Sequence, residues 1–262
     1  MTKIDSSIYI KFLKQGIIPA YPPSGSFPQG NMDFSLTRGS IIDELTGSIR
    51  DKFTVNDLGM YAIVDLRWTF QFAKWIAGRR VLEVMAGRGW LAEALAFHDV
   101  DITATDDYSW YARGWGDPVY DVLKYDAVEA VKSIGSAYDI LLMSWAPYSE
   151  PVAARACAAW GRDRPIVYIG EGEGGCCADD SFFDGFESIF LPNWGLMSWY
   201  GTHDYISTGY WRGHVEEEPA SAPQLAGQQT QGSAGNADRR AISPIASLSG
   251  PRFRSGSRNP LP

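Results

Sequence analysis

Apolar positions in this chain follow two periods. From residue 81 onward, short and nearly continuous apolar runs recur: Val81-Leu82-Glu83-Val84, Ile102-Thr103-Ala104, Val122-Leu123, Ile140-Leu141-Leu142-Met143 and Ile166-Val167-Tyr168-Ile169. Runs of this length, bounded by glycine, proline and acids, predict buried strands. Segments with helical spacing lie between them, through Leu91, Ala94 and Leu95 and in the alanine-rich stretch 149–160. Two further strands are predicted at Ser188–Leu191 and Tyr205–Trp211. Before residue 81 the spacing is three and four, in Ile41, Ile42, Leu45 and Ile49 and again in Val64, Trp68, Phe72 and Ile76. This predicts two helices, the second capped by Thr54 or Asn56 and stopped by Gly78. The Pro-, Gly- and Ser-rich run 21–30 can hold neither a long helix nor a central strand and reads as an irregular arm.

Alternation of strand and helix predicts an open α/β sheet, whose ligands bind beyond the carboxyl ends of the strands. Chemistry concentrates at one such end. After Val84 come Met85-Ala86-Gly87-Arg88-Gly89 and then a helix, so Gly87 and Gly89 allow a ligand close to the backbone beside a helix N-terminus. Gly87 to Ala92 also fits the dinucleotide pattern, with Asp106 about 20 residues on. At the tip of the second strand Asp106 can accept from both ribose hydroxyls, although an acid there can equally cap a helix. Glu83 lies inside the strand end, where a carboxylate suits a cationic ligand and opposes a pyrophosphate.

Glu83-Val84-Met85-Ala86-Gly87-Arg88-Gly89 resembles motif I of the class I S-adenosylmethionine (SAM) methyltransferases, E/D-x-G-x-G-x-G, with Met85 where the family often has its first glycine. The resemblance covers about residues 60–212. It implies a Rossmann-like α/β domain, a mostly parallel sheet with an antiparallel last strand, flanked by helices. It assigns Glu83, Gly87, Gly89 and Asp106 to SAM, and it places Asp126 at the adenine amino group, a position that also suits a helix cap. Ser144-Trp145-Ala146-Pro147-Tyr148 is similar to the family's motif IV, an incomplete match in which either Ser144 supplies the polar position or Trp145 replaces it. Ser144 and Tyr148 are therefore the candidates for handling the methyl acceptor. Glu171, with Glu173, lies in the glycine-rich loop after the fifth strand and is a candidate acceptor or general base. Helices before motif I commonly close over the cofactor in this family, which draws attention to Tyr61, Asp65 and Arg67. The expected activity is methyl transfer from SAM to an acceptor the sequence does not identify. The alternatives are a non-catalytic SAM-binding or interaction module and an NAD-linked oxidoreductase.

Charge narrows the acceptor. Net charge is −8, and the first 218 residues hold 18 basic and 30 acidic groups. An acidic body is a poor polyanion binder, which favours a small molecule or a protein over nucleic acid. Three cysteines, two of them adjacent, with no Cys-x-x-Cys pair and no His cluster, fit a reduced cytoplasmic protein without a metal site. No stretch approaches the roughly 18 apolar residues of a membrane span. The expected organisation is an N-terminal arm with covering helices over residues 1–68, a SAM-binding domain over 69–214, and a tail over 215–262 that lacks apolar periodicity and should be disordered.

Overall fold

The computed structural model describes residues 2–28, 58–192, 194–199 and 202–214. The helix predicted around Ile41 to Ile49, the caps Thr54 and Asn56, and the tail from residue 215 lie outside the described residues.

Seven strands form one sheet. In chain order they are β2 (Val81–Val84), β3 (Ile102–Asp106), β4 (Val122–Lys124), β5 (Ile140–Ser144), β6 (Ile166–Gly170), β7 (Phe186–Phe190) and β9 (Tyr205–Trp211). Their spatial order is β4-β3-β2-β5-β6-β9-β7, with β9 antiparallel to both neighbours. The β4-β3-β2-β5-β6 portion is parallel throughout. A separate two-stranded ladder pairs β1 (Phe27–Pro28) with β8 (Met197–Ser198), so the arm's far end adds an edge rather than remaining irregular.

Helices follow the strands as the periodicities require. The amide-capping acids are legible one by one. Asp65 caps α2 (Leu66–Ile76) by accepting from Arg67 and Trp68, Asp126 caps α4 (Ala127–Ile134) by accepting from Val128 and Glu129, and Asp179 caps α6 (Asp180–Gly185). α2 begins later than the apolar spacing suggested, with Asp65 satisfying its first amides. It ends at Ala77 and Gly78, both with positive φ. α1 (Ser6–Lys14) buries Tyr9 and Leu13, while α3 (Trp90–Ala96) and α5 (Val152–Trp160) complete the crossovers. Right-handed crossovers place α3 on one face of the sheet and α4 and α5 on the other. β2, β5 and β6 are buried along their whole length or nearly so, as a sheet covered on both faces demands.

Strand order reverses between β2 and β5. The chain runs outward to β3 and β4 on one side and to β6 on the other, which opens a crevice beyond their carboxyl ends. No helix among the described residues is long and apolar enough to cross a membrane.

Candidate functional site

At that crevice lies a cavity of about 740 Å³, bordered by the tips of β2, β3, β4 and β5 and by residues 59–62 and 64. Its size is that of a small-molecule site. Of the residues singled out from the sequence, Glu83, Gly87, Asp106, Asp126, Ser144 and Tyr148 all border it.

Glu83 is the third residue of β2 and is 1% exposed. Its carboxyl accepts from the Ala92 amide in the first turns of α3, while Oε2 has no hydrogen-bond partner. Burial, and then the charge of Asp106, push its pKa up to about 8. An acid so placed holds a proton at neutral pH until a cation or a donor reaches it.

Asp106 ends β3. Its Oδ2 accepts from the Gly87 amide at 2.7 Å, and its Oδ1 accepts from the Tyr108 amide at 2.8 Å and from Trp110 Nε1 at 2.9 Å. Burial raises its pKa and these donors oppose the rise. A carboxylate offers about four lone-pair sites, so with three filled, Asp106 retains capacity for one further donor on Oδ2. Read from its place at the strand tip it could accept both ribose hydroxyls; the internal donors leave room for one. Neighbouring Asp107, also on the cavity wall, uses one oxygen for the Ser109 amide.

The two glycines of the turn differ in role. Gly87 has φ +56 and nothing within 4 Å of where a Cβ would stand, so a ligand can approach its backbone. Gly89 has φ +80, but a Cβ there would meet Tyr120 Cβ at 2.8 Å and Val122 Cγ2 at 2.9 Å. It serves the packing of α3 on β4 and does not line the cavity. Two amides around this turn are already used, that of Gly87 by Asp106 and that of Ala92 by Glu83. Met85, where motif I often has glycine, keeps a glycine's backbone at φ 56. Holding a side chain there costs about 1–2 kcal/mol.

Asp126 caps α4 and also lies on the cavity wall. Oδ1 takes the Val128 and Glu129 amides at 2.9 and 3.2 Å, and the exposed carboxylate also borders the cavity. Ser144 at the end of β5 and Tyr148 beyond it reach the wall, Tyr148 with 64% of its surface exposed. Between them Trp145 adopts φ 54, donates Nε1 to the buried Asp204 at 2.8 Å, and stacks on Tyr61 with ring centroids 5.4 Å apart. Trp115 meets Tyr61 edge-on, so part of the cavity wall is aromatic.

Glu171 requires a correction. It is buried, but it is absent from the cavity wall: Oε2 accepts from the Cys176 amide at 2.8 Å and Oε1 from the His203 amide at 3.0 Å. The glutamate ties the glycine-rich loop to the segment before β9. Glu173 likewise does not border the cavity; Cys176 from the same loop does. Of the helical candidates, Tyr61 faces the cavity, whereas Asp65 caps α2 with its pKa raised to about 6 by burial, and Arg67 donates to Gly195 O. Cys177 is a packed thiol, pushed up to about 12 by burial. Among the described residues no cluster of His, Cys, Asp and Glu is arranged to hold a metal ion.

Arg113 and Arg155 on the wall were missed from the sequence. Arg155 lies in an alanine-rich helix and Arg113 in a short 3-10 turn, and neither belongs to a recognisable motif. Met85 and Trp145 were noticed only as departures, since nothing in sequence announces that a large residue will take a left-handed backbone.

No protein-family model matches the chain, and no curated protein sequence matches it significantly. Among solved structures it is similar to a mutant of MtNAS in complex with S-adenosylmethionine, at 13% identity over 64% of this chain and 72% of that one, with a TM-score of 0.40. It is also similar to a TehB-like SAM-dependent methyltransferase from Corynebacterium glutamicum, at 18% identity over 56% and 89% with a TM-score of 0.37. A third likeness is to the mitomycin 7-O-methyltransferase MmcR, at 16% identity over 72% and 64% with a TM-score of 0.38. The strand order, the antiparallel β9 and the crevice at the switch point make this a Rossmann-like α/β fold, a mostly parallel seven-stranded sheet flanked by helices.

Proposed function

We propose that the protein binds SAM in this cavity and transfers its methyl group to an acceptor that is a small molecule or a protein. The observation that carries the reading is Glu83: a buried carboxyl at the cavity wall with one oxygen unpartnered and its proton retained to about pH 8. A cationic partner would satisfy that oxygen and draw the proton off.

The donor set fits the cofactor. Glu83 would hold its cationic end, the remaining acceptor site on Asp106 a ribose hydroxyl, and Asp126 the adenine amino group, while the open face of Gly87 admits the ligand to the backbone. When bound, SAM supplies a methyl group activated on a sulfonium. The protein's part is to orient the acceptor and exclude water. The Tyr61, Trp115 and Trp145 wall serves the second task, and the hydroxyls of Ser144 and Tyr148 serve the first. A dinucleotide fits poorly. The Gly87 amide of the turn and the Ala92 amide of α3 already serve carboxylates, and a phosphate would sit beside Glu83 and Asp106.

Titration calorimetry with SAM and with its demethylated product tests the reading. Saturable binding is expected below about 1 mM, the upper end of ordinary substrate affinities. No heat from either ligand at that concentration removes the proposal. Incubation with methyl-labelled SAM and fractionated extract then separates an enzyme, which labels the metabolite or protein fraction, from a SAM-binding module, which labels none.

A further inference from the structure

The two central strands end alike. Val84 of β2 pairs with Met143 of β5, and each strand is followed at once by a large residue on a left-handed backbone: Met85 at φ 56 and Trp145 at φ 54. Both side chains border the cavity, at the point where the strand order reverses. Glycine would follow the same backbone course at either position without strain. What the strain retains is therefore the side chain. Such outliers persist only where their surroundings hold them. Trp145 is fixed by Asp204 through its indole N–H, by Tyr61 through its ring, and by Ile169 O through its amide, while Met85 packs against the core.

We propose that Met85 and Trp145 form a collar at the switch point that limits the size of the sulfonium substituent the cavity admits, and hence which group the protein can transfer. This rests on the cofactor reading above. The residue types suit the task. A thioether is polarizable and an indole face attracts positive charge, so both can border a cationic sulfur without neutralising it. Glu83 lies two residues before Met85, which sets the collar next to the acid proposed for the cationic end.

The test is titration of the full chain and of two variants with SAM, its S-ethyl homologue and adenosine. The wild type should bind the S-methyl form about tenfold or more tightly than the S-ethyl form, the usual effect of one methylene in a fitted pocket. Met85→Ala should bring that ratio below about threefold and leave adenosine affinity unchanged, because the nucleoside contacts are untouched. Trp145→Phe, which keeps an aromatic ring but loses the bond to Asp204, should shift the ratio in the same direction and keeps the test open should the other variant fold poorly. An unchanged ratio in both folded variants, with SAM still binding, overturns the collar and leaves the cofactor reading standing. Adenosine binding with no SAM binding in the wild type overturns the cofactor reading and the collar with it.

Discussion

Two buried glutamates lie near glycines at the carboxyl ends of central strands, Glu83 within β2 and Glu171 just after β6, and they do opposite things. Glu83 and Glu171 are 1% and 5% exposed. Glu171 has a backbone amide on each oxygen, from residues 5 and 32 positions away in the chain. Glu83 has one oxygen supplied by Ala92 and one left over. Burial is nearly the same; donor supply is not. A buried carboxylate whose oxygens are saturated is a fastener, and one left short of a donor favours whatever cation or donor the cavity admits.

The largest effect expected from breaking this contrast is at the fastener. Glu171→Ala strips the acceptor from the Cys176 and His203 amides, two part-buried bonds whose loss together costs about 2–3 kcal/mol. The midpoint of thermal unfolding should fall by roughly 5–10 °C, at about 2–4 °C per kcal/mol for a chain of this size. SAM affinity measured well below the new midpoint should stay within about twofold, since no atom of Glu171 borders the cavity. A large loss of affinity with stability unchanged would return Glu171 to the acceptor site that the sequence suggested.

Glu83→Gln should do the reverse. Loss of a charge-assisted contact weakens SAM binding by about 10- to 100-fold at pH 8. The folded protein keeps this proton up to about pH 8, whereas the unfolded chain releases it near the ordinary 4.5. Between those values the folded state binds more protons, so the wild type loses stability as pH rises through the window, by something on the order of a few kcal/mol. The variant escapes that loss, and denaturant titrations at pH 5 and pH 8 should show its advantage growing with pH. Binding carries the matching signature. SAM should release close to one proton at pH 7, read from calorimetry in buffers of different ionisation heat, and the variant should release correspondingly fewer. Wild-type and variant heats with the same buffer dependence would mean that Glu83 keeps its proton in the complex.

The contrast also shows what could be read from residue order alone. The sheet was legible because β2, β5 and β6 are buried on both faces, so their runs are apolar almost throughout, Glu83 being the exception in β2. Asp106 and Asp126 were legible because strand tips in an α/β sheet converge on one crevice. Glu171 occupies such a tip too, yet whether its oxygens are already filled depends on His203, a residue 32 positions away whose place is set by β9 folding back along β6. The strained backbones of Met85 and Trp145 were invisible for a related reason. Trp145 is held by Asp204, 59 residues on, and local propensity would have placed glycine at both positions.

Asp126 combines the two roles in one side chain, and separating them gives the smallest expected effects. Its Oδ1 caps α4 while the rest of the carboxylate meets the cavity. Asp126→Ala removes both functions and should lower stability by about 1 kcal/mol, the usual loss at an N-cap. Affinity for SAM should also fall, by about three- to tenfold for one hydrogen bond. Asp126→Ser keeps a capping hydroxyl but has no second oxygen. Its stability should lie within about 0.5 kcal/mol of the wild type, while its affinity for SAM and for adenosine should fall as far as in the alanine variant. Chemical denaturation and calorimetry on the same preparations read both quantities. Should the serine variant recover full affinity along with the cap, the carboxylate serves the helix alone, and Asp126 joins Glu171 as a fastener.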